Sequence, residues 1–226
     1  MDSDFARAYL LHRRPVSDSS VMLNVVVEGI GHIKMLARIK GKQHLKQNAQ
    51  LQPFTPLLCR FTGRHEVKYL NQFELLDAYK PDHGKRLYCG FYLNELSYRL
   101  MPINEPLDDA FSLYELHLKR LCDNEEVEVI LRNYEFELLN LLGFGIEFDV
   151  DATGQPIKPA LHYGYLSEVG FVPEQGFYQG KVLMDIAAND FSDVKTRQQA
   201  KLLSRQVLRP LLGYKELKSR ELFISR

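Results

Sequence analysis

Apolar and polar residues alternate with period two over the first third of the chain, then switch to a helical period near residue 87. Successive side chains of a strand point to opposite faces. In the run around residue 35, Ile33, Met35, Ala37 and Ile39 fall on one face, while His32, Lys34, Arg38 and Lys40 share the other with Leu36. That strand is predicted to turn an apolar face to a core and a cationic face outward. Before it, Ala6 to His12 alternates loosely, and the β-branched run Val21 to Val27 lies between the polar turn Ser17, Asp18, Ser19, Ser20 and the stretch Glu28, Gly29, Ile30, Gly31. After it, a polar loop with Gly41, Lys42, His44 and Lys46 leads to two further strand candidates, Pro56 to Phe61 and Glu66 to Phe73. Five short strands within about 75 residues predict a small closed barrel of the OB-fold kind.

In the helical part, Leu87, Phe91, Asn94 and Tyr98 share a side, with Tyr88 and Leu96 nearby, and Phe111, Tyr114, Leu118 and Leu121 repeat the pattern. A third helix is predicted near Glu125 to Leu142, with Glu125, Glu126 and Glu128 in its first turn and Gly143 past its end, which is ordinary helix punctuation rather than a carboxylate active site. Residues 144–182 are rich in Gly, Pro and aromatics and predict an irregular, partly extended excursion. Within them Asp149 to Gly154 starts like an EF-hand calcium loop, but the twelfth position is Ala160 where a bidentate Glu is needed, so a solvated turn is expected. The last region is helical again: Arg197, Lys201, Arg205 and Arg209 recur every four residues, and Ala200, Leu203, Val207 and Leu211 form another face. Pro210 is expected to end or kink that helix. The fold class is therefore α+β: a five-stranded OB-fold barrel over residues 1–80, then an α-helical domain over 81–226 with an irregular insertion at about 144–182.

Composition is that of a globular chain, 226 residues with 45% hydrophobic and 26% charged content, long enough for one large core or two modest ones. No run approaches the length of a membrane-spanning helix and the start MDSDFARAYLLHRRP does not read as a secretory signal, so a soluble, cytoplasmic protein is expected. The formal net charge of zero hides a strong partition. Residues 1–80 carry 12 Lys+Arg against 7 Asp+Glu, residues 81–194 carry 8 against 20, and residues 195–226 carry 9 against 2. Two basic ends flank an acidic middle, and a phosphate polymer responds to such local potential.

Candidate catalytic chemistry is sparse. The seven histidines stand at no metal-ligand spacing, and G-x-S-x-G, P-loop and G-x-G-x-x-G patterns are lacking. Cys59, Cys89 and Cys122 lie far apart, form no C-x-x-C pair, and read as reduced, mostly buried thiols. No metal, cofactor or enzymatic activity is expected. Basic residues shared by one strand face and one helix face point to nucleic acid. Phe54, Phe61, Tyr69 and Phe73 are the nearby aromatics that could stack on bases.

The segments RAYLLHRRPVSDSSVMLNV, LQPFTPLLCRF, GRHEVKYL, LYCGFYLNEL and KELKSRELF resemble those of the RecO family of DNA repair and recombination mediators in its γ-proteobacterial form, and the likeness runs in order from Arg7 to Phe223. The resemblance implies an OB-fold with a helical domain behind it, binding to single- and double-stranded DNA, annealing of complementary strands, and nucleoid association. It also implies partnership with RecR and with the acidic C-terminal tail of the single-strand binding protein, so that RecA is loaded on gapped DNA. Many relatives carry a four-cysteine zinc module after the third helix. This chain has no cysteine beyond Cys122, so metal-free packing is expected over residues 144–182.

The candidate DNA contacts are Lys34, Arg38, Lys40, Lys42, Lys46, Arg60, Arg64 and Lys68 in the first domain, and Arg197, Lys201, Arg205, Arg209, Lys215, Lys218 and Arg220 toward the C-terminus. Cations on two surfaces would neutralise two strands while leaving base edges free to pair. For the single-strand binding protein tail, whose end is apolar with a free carboxylate, the candidates are Arg132 and its neighbours Leu131, Phe136 and Leu139 in LRNYEFELL, the segment that resembles the family's tail-binding element. The alternative role for Arg132, of equal weight, is an intrahelical pair with Glu128 or Glu135. The competing readings are a non-catalytic scaffold for acidic protein partners and an uncharacterised hydrolase.

Overall fold

The computed structural model describes residues 5–38, 49–77, 80–81, 84–174 and 176–223. Its first compact unit joins Met1–Glu125 to Glu216–Arg226, and its second spans Glu126–Lys215.

The first unit is built on strands β1 (Ala6–Ser17), β2 (Ser20–Val27), β3 (Gly31–Arg38), β4 (Pro56–Thr62) and β5 (Val67–Leu75). They close into a barrel in the order β1-β2-β3-β5-β4, with β3 and β5 parallel and every other pair antiparallel. This is the expected OB-type barrel. Its interior is Ala8, Leu10, Val21, Leu23, Val25, Val27, Ile33, Met35, Ala37, Leu57, Cys59 and Phe61, every second residue along runs of β1 to β4, closed by Leu51 from before β4 and by the partly buried Leu70 and Phe73 of β5, so the period-two reading of β3 holds for Ile33, Met35 and Ala37. A bulge between Leu10 and His12 puts Leu11 out of register.

Helices α1 (Lys85–Leu100) and α2 (Ala110–Arg120) belong to this unit. The sequence places a domain boundary at 80/81, but the packing boundary falls at 125/126, because these helices cover part of the barrel's outer surface. Tyr9 of β1 meets Phe111 and Tyr114 at ring centroids 5.3 and 5.1 Å, and its hydroxyl donates to Glu115 Oε1 at 3.1 Å. Arg7 and Lys119 also pair with Glu115. His32 was expected on the cationic face. It is instead fully buried, its Nδ1 3.0 Å from the Met101 carbonyl and its Nε2 3.3 Å from the Asn24 side chain, and burial holds it below its ordinary pKa. A 3-10 turn at Lys218–Phe223 returns to α1: Glu95 accepts the backbone N–H of Lys218 at 3.0 Å and of Ser219 at 2.8 Å, and the Ser219 hydroxyl at 2.7 Å.

The second unit holds α3 (Val127–Leu141), strands β6 (His162–Leu166), β7 (Gly170–Pro173) and β8 (Tyr178–Gln179), and helices α4 (Gly180–Ala187) and α5 (Val194–Leu211). The stretch expected to be irregular contains an antiparallel sheet in the order β7-β6-β8. Its strands are too short to show a period, yet they bury Tyr163, Phe171 and Tyr178. Gly180 is required where β8 turns into α4, since a Cβ there would lie 2.0 Å from the Lys158 carbonyl oxygen. Asp151 closes the turn before the sheet as an Asx turn, accepting from Thr153 N at 2.8 Å, Thr153 Oγ1 at 2.6 Å and Gln155 N at 3.2 Å; residues 152–156 are exposed as expected, but Asp151 itself is buried. Gln206 of α5 ties sheet to helix, accepting from Tyr178 Oη at 2.9 Å and donating to the Tyr165 carbonyl at 2.8 Å. Asp193 caps α5, which ends at Leu211, one residue past Pro210.

Cys59 and Cys89 are buried, and Cys122, just past α2, is exposed. Burial pushes the Cys59 thiol up to about 12. Three separate cysteines do not fit a zinc module, and among the described residues no group of three or more His, Cys, Asp or Glu could hold a metal ion. No helix among them is long and apolar enough to cross a membrane.

Candidate nucleic-acid interface

Strand register builds the site. Leu23 and Met35 face the barrel interior, so the rows on either side of them face outward. One row runs His12, Asn24, Lys34, Val67 and the next runs Arg14, Met22, Leu36, Tyr69, while Arg38 pairs with Ser20 one step further. The neighbouring row of Tyr9, Val26 and His32 is buried under α1 and α2. Helices thus cover one half of the outer face. The other half, toward the β1–β2 turn, carries Arg14, Lys34, Arg38 and the exposed ring of Tyr69 (55% accessible).

The predicted cations divide by what they touch. Arg38 and Arg64 are exposed, and their side chains make no hydrogen bond or ion pair to another described residue. Lys34 pairs with Glu66 at 3.2 Å, an exposed bridge that leaves the ammonium available to a phosphate. Arg60 lies over the Phe5 ring, centroid 5.6 Å away. Lys68 falls in the row of inward-facing Met35, and its Nζ donates to the His65 carbonyl at 3.0 Å. Lys40, Lys42 and Lys46 lie outside the described residues. Of the four aromatics, only Tyr69 is exposed. Phe54 and Phe61 are buried and Phe73 packs against the barrel core.

The basic stripe of α5 belongs to the second unit. Arg197 is committed to structure, donating to the Phe191 and Ser192 carbonyls before the helix. Lys201 and Arg205 are exposed, and Arg209 lies 5.6 Å over the Tyr214 ring, itself exposed. Lys215 is exposed at the end of this unit. Lys218 and Arg220 sit on the 3-10 turn of the first unit, with Arg220 6.0 Å over Tyr92.

Arg132 lies on α3 and is only 5% accessible. Its Nη2 donates to Oε1 of the fully buried Glu135 at 2.6 Å, the intrahelical pair that the spacing offered. Its Nε and Nη1 have no hydrogen-bond partner among the described residues. Leu139 is fully buried, Phe136 packs against Val182, Ile186, Phe191 and Ala200, and Leu131 is half-buried. An acceptor reaching the two open nitrogens would remove the cost of leaving buried donors unpaired.

A closed OB-type barrel with a half-covered outer face, followed by a unit that carries a basic helix, defines an α+β protein of the OB-barrel class. Family models specify it further: "Recombination protein O N terminal" matches residues 1–79 and "Recombination protein O C terminal" matches residues 82–221. DNA repair protein RecO of Pseudoalteromonas translucida is 54% identical over 227 residues, covering 99% of this chain and 98% of that protein. The RecO proteins of Haemophilus influenzae and Actinobacillus succinogenes are 38% and 37% identical, covering 99% and 97% of this chain and 97% and 94% of their own lengths. The chain belongs to the RecO family, and its role is in recombination and DNA repair. Neither family description names a catalytic activity.

Two residues of the outer face, His12 and Arg14, escaped the reading of the sequence. Their strand shows only loose alternation, and what groups them with Lys34 and Arg38 is register across three strands.

Proposed function

We propose that this chain binds single- and double-stranded DNA, anneals complementary strands, and helps load RecA onto gapped DNA coated with single-strand binding protein, in partnership with RecR. The observation that carries the reading is the continuous outer row set of the barrel, in which Arg14, Lys34 and Arg38 lie beside exposed Tyr69. Cations at strand spacing follow a phosphate backbone, and an aromatic among them stacks on any base, so binding needs no sequence preference. The α5 cations supply a second surface for a second strand. Annealing then requires no chemical step, only reduced repulsion between backbones.

For the tail of the single-strand binding protein, Arg132 is the proposed carboxylate partner. Support comes from its two unpaired, buried N–H-bearing nitrogens, which suit a charge-assisted bond to a terminal carboxylate. Glu135 would hold the guanidinium until the tail arrives.

The test is a titration of the protein with single-stranded DNA at two salt concentrations. Affinity should fall steeply with salt, and reversal of Arg38 with Lys34 should flatten the slope of log affinity against log salt by roughly 1.4, about 0.7 for each phosphate contact on a single strand. Salt-independent or undetectable binding would favour the rival reading, a scaffold for acidic proteins.

A further inference from the structure

The imidazole of His12 stacks on the phenol ring of Tyr98 from α1, with ring centroids 4.5 Å apart and planes 18° from parallel. His12 is nonetheless exposed and makes no side-chain hydrogen bond to another described residue. One ring face is taken by Tyr98, and the residue keeps exposed surface beyond that contact. Arg14 follows two residues along on the same outer face of β1, exposed and without a polar partner among the described residues. Lys218 lies on the 3-10 turn, where Glu95 fixes its backbone, close enough for its charge to act on the His12 ring, and its ammonium has no partner among the described residues either. The carboxylate of Glu95 is itself occupied by the N–H groups of Lys218 and Ser219 and by the Ser219 hydroxyl.

We infer that the exposed surface of His12 is a stacking platform for one base of a single-stranded nucleic acid, with Arg14 and Lys218 holding the phosphates on either side of that base. The site rests on the DNA-binding reading above and adds the His12 ring and Lys218 to the same outer face. A parallel pair of rings backed by a helix is rigid, so a base added to it makes a third layer at little entropic cost. Partial burial, then the charges of Arg14 and Lys218, hold His12 below its ordinary pKa against the opposing charge of Glu95, which favours the uncharged ring. It thus offers an aromatic face, and the two cations supply the charge.

Fluorescence anisotropy with two probes of equal phosphate number tests the assignment: an oligothymidylate, and the same backbone with every base removed. Stacking on an aromatic of this kind predicts that His12→Ala weakens oligothymidylate binding about tenfold and barely changes the abasic probe. His12→Tyr, which keeps an aromatic face, restores the affinity. Arg14→Gln with Lys218→Gln weakens both probes and flattens the salt dependence. Thermal melting of His12→Ala matched to the native protein guards against loss of fold, and the His12→Tyr comparison carries the test if it melts early. Unchanged oligothymidylate affinity in His12→Ala, equal losses on both probes, or failure of His12→Tyr to restore binding would overturn the platform while leaving the DNA-binding reading in place. Absence of binding to both probes by the native protein would remove both.

Discussion

Phe54 sits in the left-handed region, φ 65°, with its ring against the bare Cα of Gly90 on α1: a Cβ built there would lie 3.1 Å from two ring atoms. The same ring meets Phe91 edge-on, centroids 5.1 Å apart. The chain entering β4 is thereby pinned to α1, and the left-handed backbone is held by packing on a non-glycine residue. Gly90→Val should destabilise the protein by about 1–3 kcal/mol, because the branched side chain overpacks this contact. Gly90→Ala should cost less, since alanine recovers about 1 kcal/mol of helix preference. Urea melts of the two variants check the order.

His117 on α2 is fully buried, with Nδ1 3.0 Å from the Leu113 carbonyl and Nε2 3.3 Å from the Arg120 guanidinium. Burial, then the charge of Arg120, lowers its pKa to about 4. The unfolded chain takes a proton on this residue below about pH 6.5 while the folded chain refuses it down to about 4, so stability is full above 6.5 and falls as pH drops through that window. The loss attributable to His117 is about 3 kcal/mol at its largest. Denaturant unfolding from pH 7.5 to 4 should show His117→Gln losing stability less steeply than the native protein.

The Arg132–Glu135 pair is buried at both ends, 2.6 Å apart. Removing one partner leaves an uncompensated charge, so Glu135→Leu alone should cost about 3–5 kcal/mol, whereas Arg132→Met combined with Glu135→Leu should recover most of that. A double-mutant cycle of unfolding free energies measures the coupling. Arg132→Glu should also weaken binding of a single-strand binding protein tail peptide by about 2 kcal/mol or more, read by calorimetry.

Reversal of Lys201, Arg205 and Arg209 on α5 should leave DNA binding measurable at low salt but depress the strand-annealing rate disproportionately, because the second strand loses its docking surface. The salt slope should flatten by about 2 for single-stranded DNA. A lower melting temperature with an unchanged annealing rate per folded molecule would instead make this stripe an intramolecular support.

The barrel was legible because its strands are long enough for period two to show. Ile33, Met35 and Ala37 face inward as their alternation requires, and the helices around Tyr98, Tyr114 and Tyr134 follow from their spacing. The sheet formed by β6, β7 and β8 was not legible, since strands of two to five residues carry too few alternations to separate from a loop. The candidate interface was half legible. Lys34 and Arg38 are neighbours along one strand, whereas Arg14 and Tyr69 join them only through pairing between strands distant in sequence. His32 shows the limit from the other side: alternation assigned it the correct face, but only the packing of α1 and α2 decides which half of that face meets water.

The 3-10 turn that docks on Glu95 gives the chain an order of assembly. A ribosome delivers residues 218–223 only after it has made all of Glu126–Lys215, although the turn belongs to the unit begun at the other end of the message. Until then the Glu95 carboxylate lacks its three donors and Lys218 is absent from the side of His12. The barrel strands are complete early in synthesis, but their outer face receives its last cation late, so a nascent chain held short of residue 218 would lack the lysine that the His12 face acquires from the far end of the message.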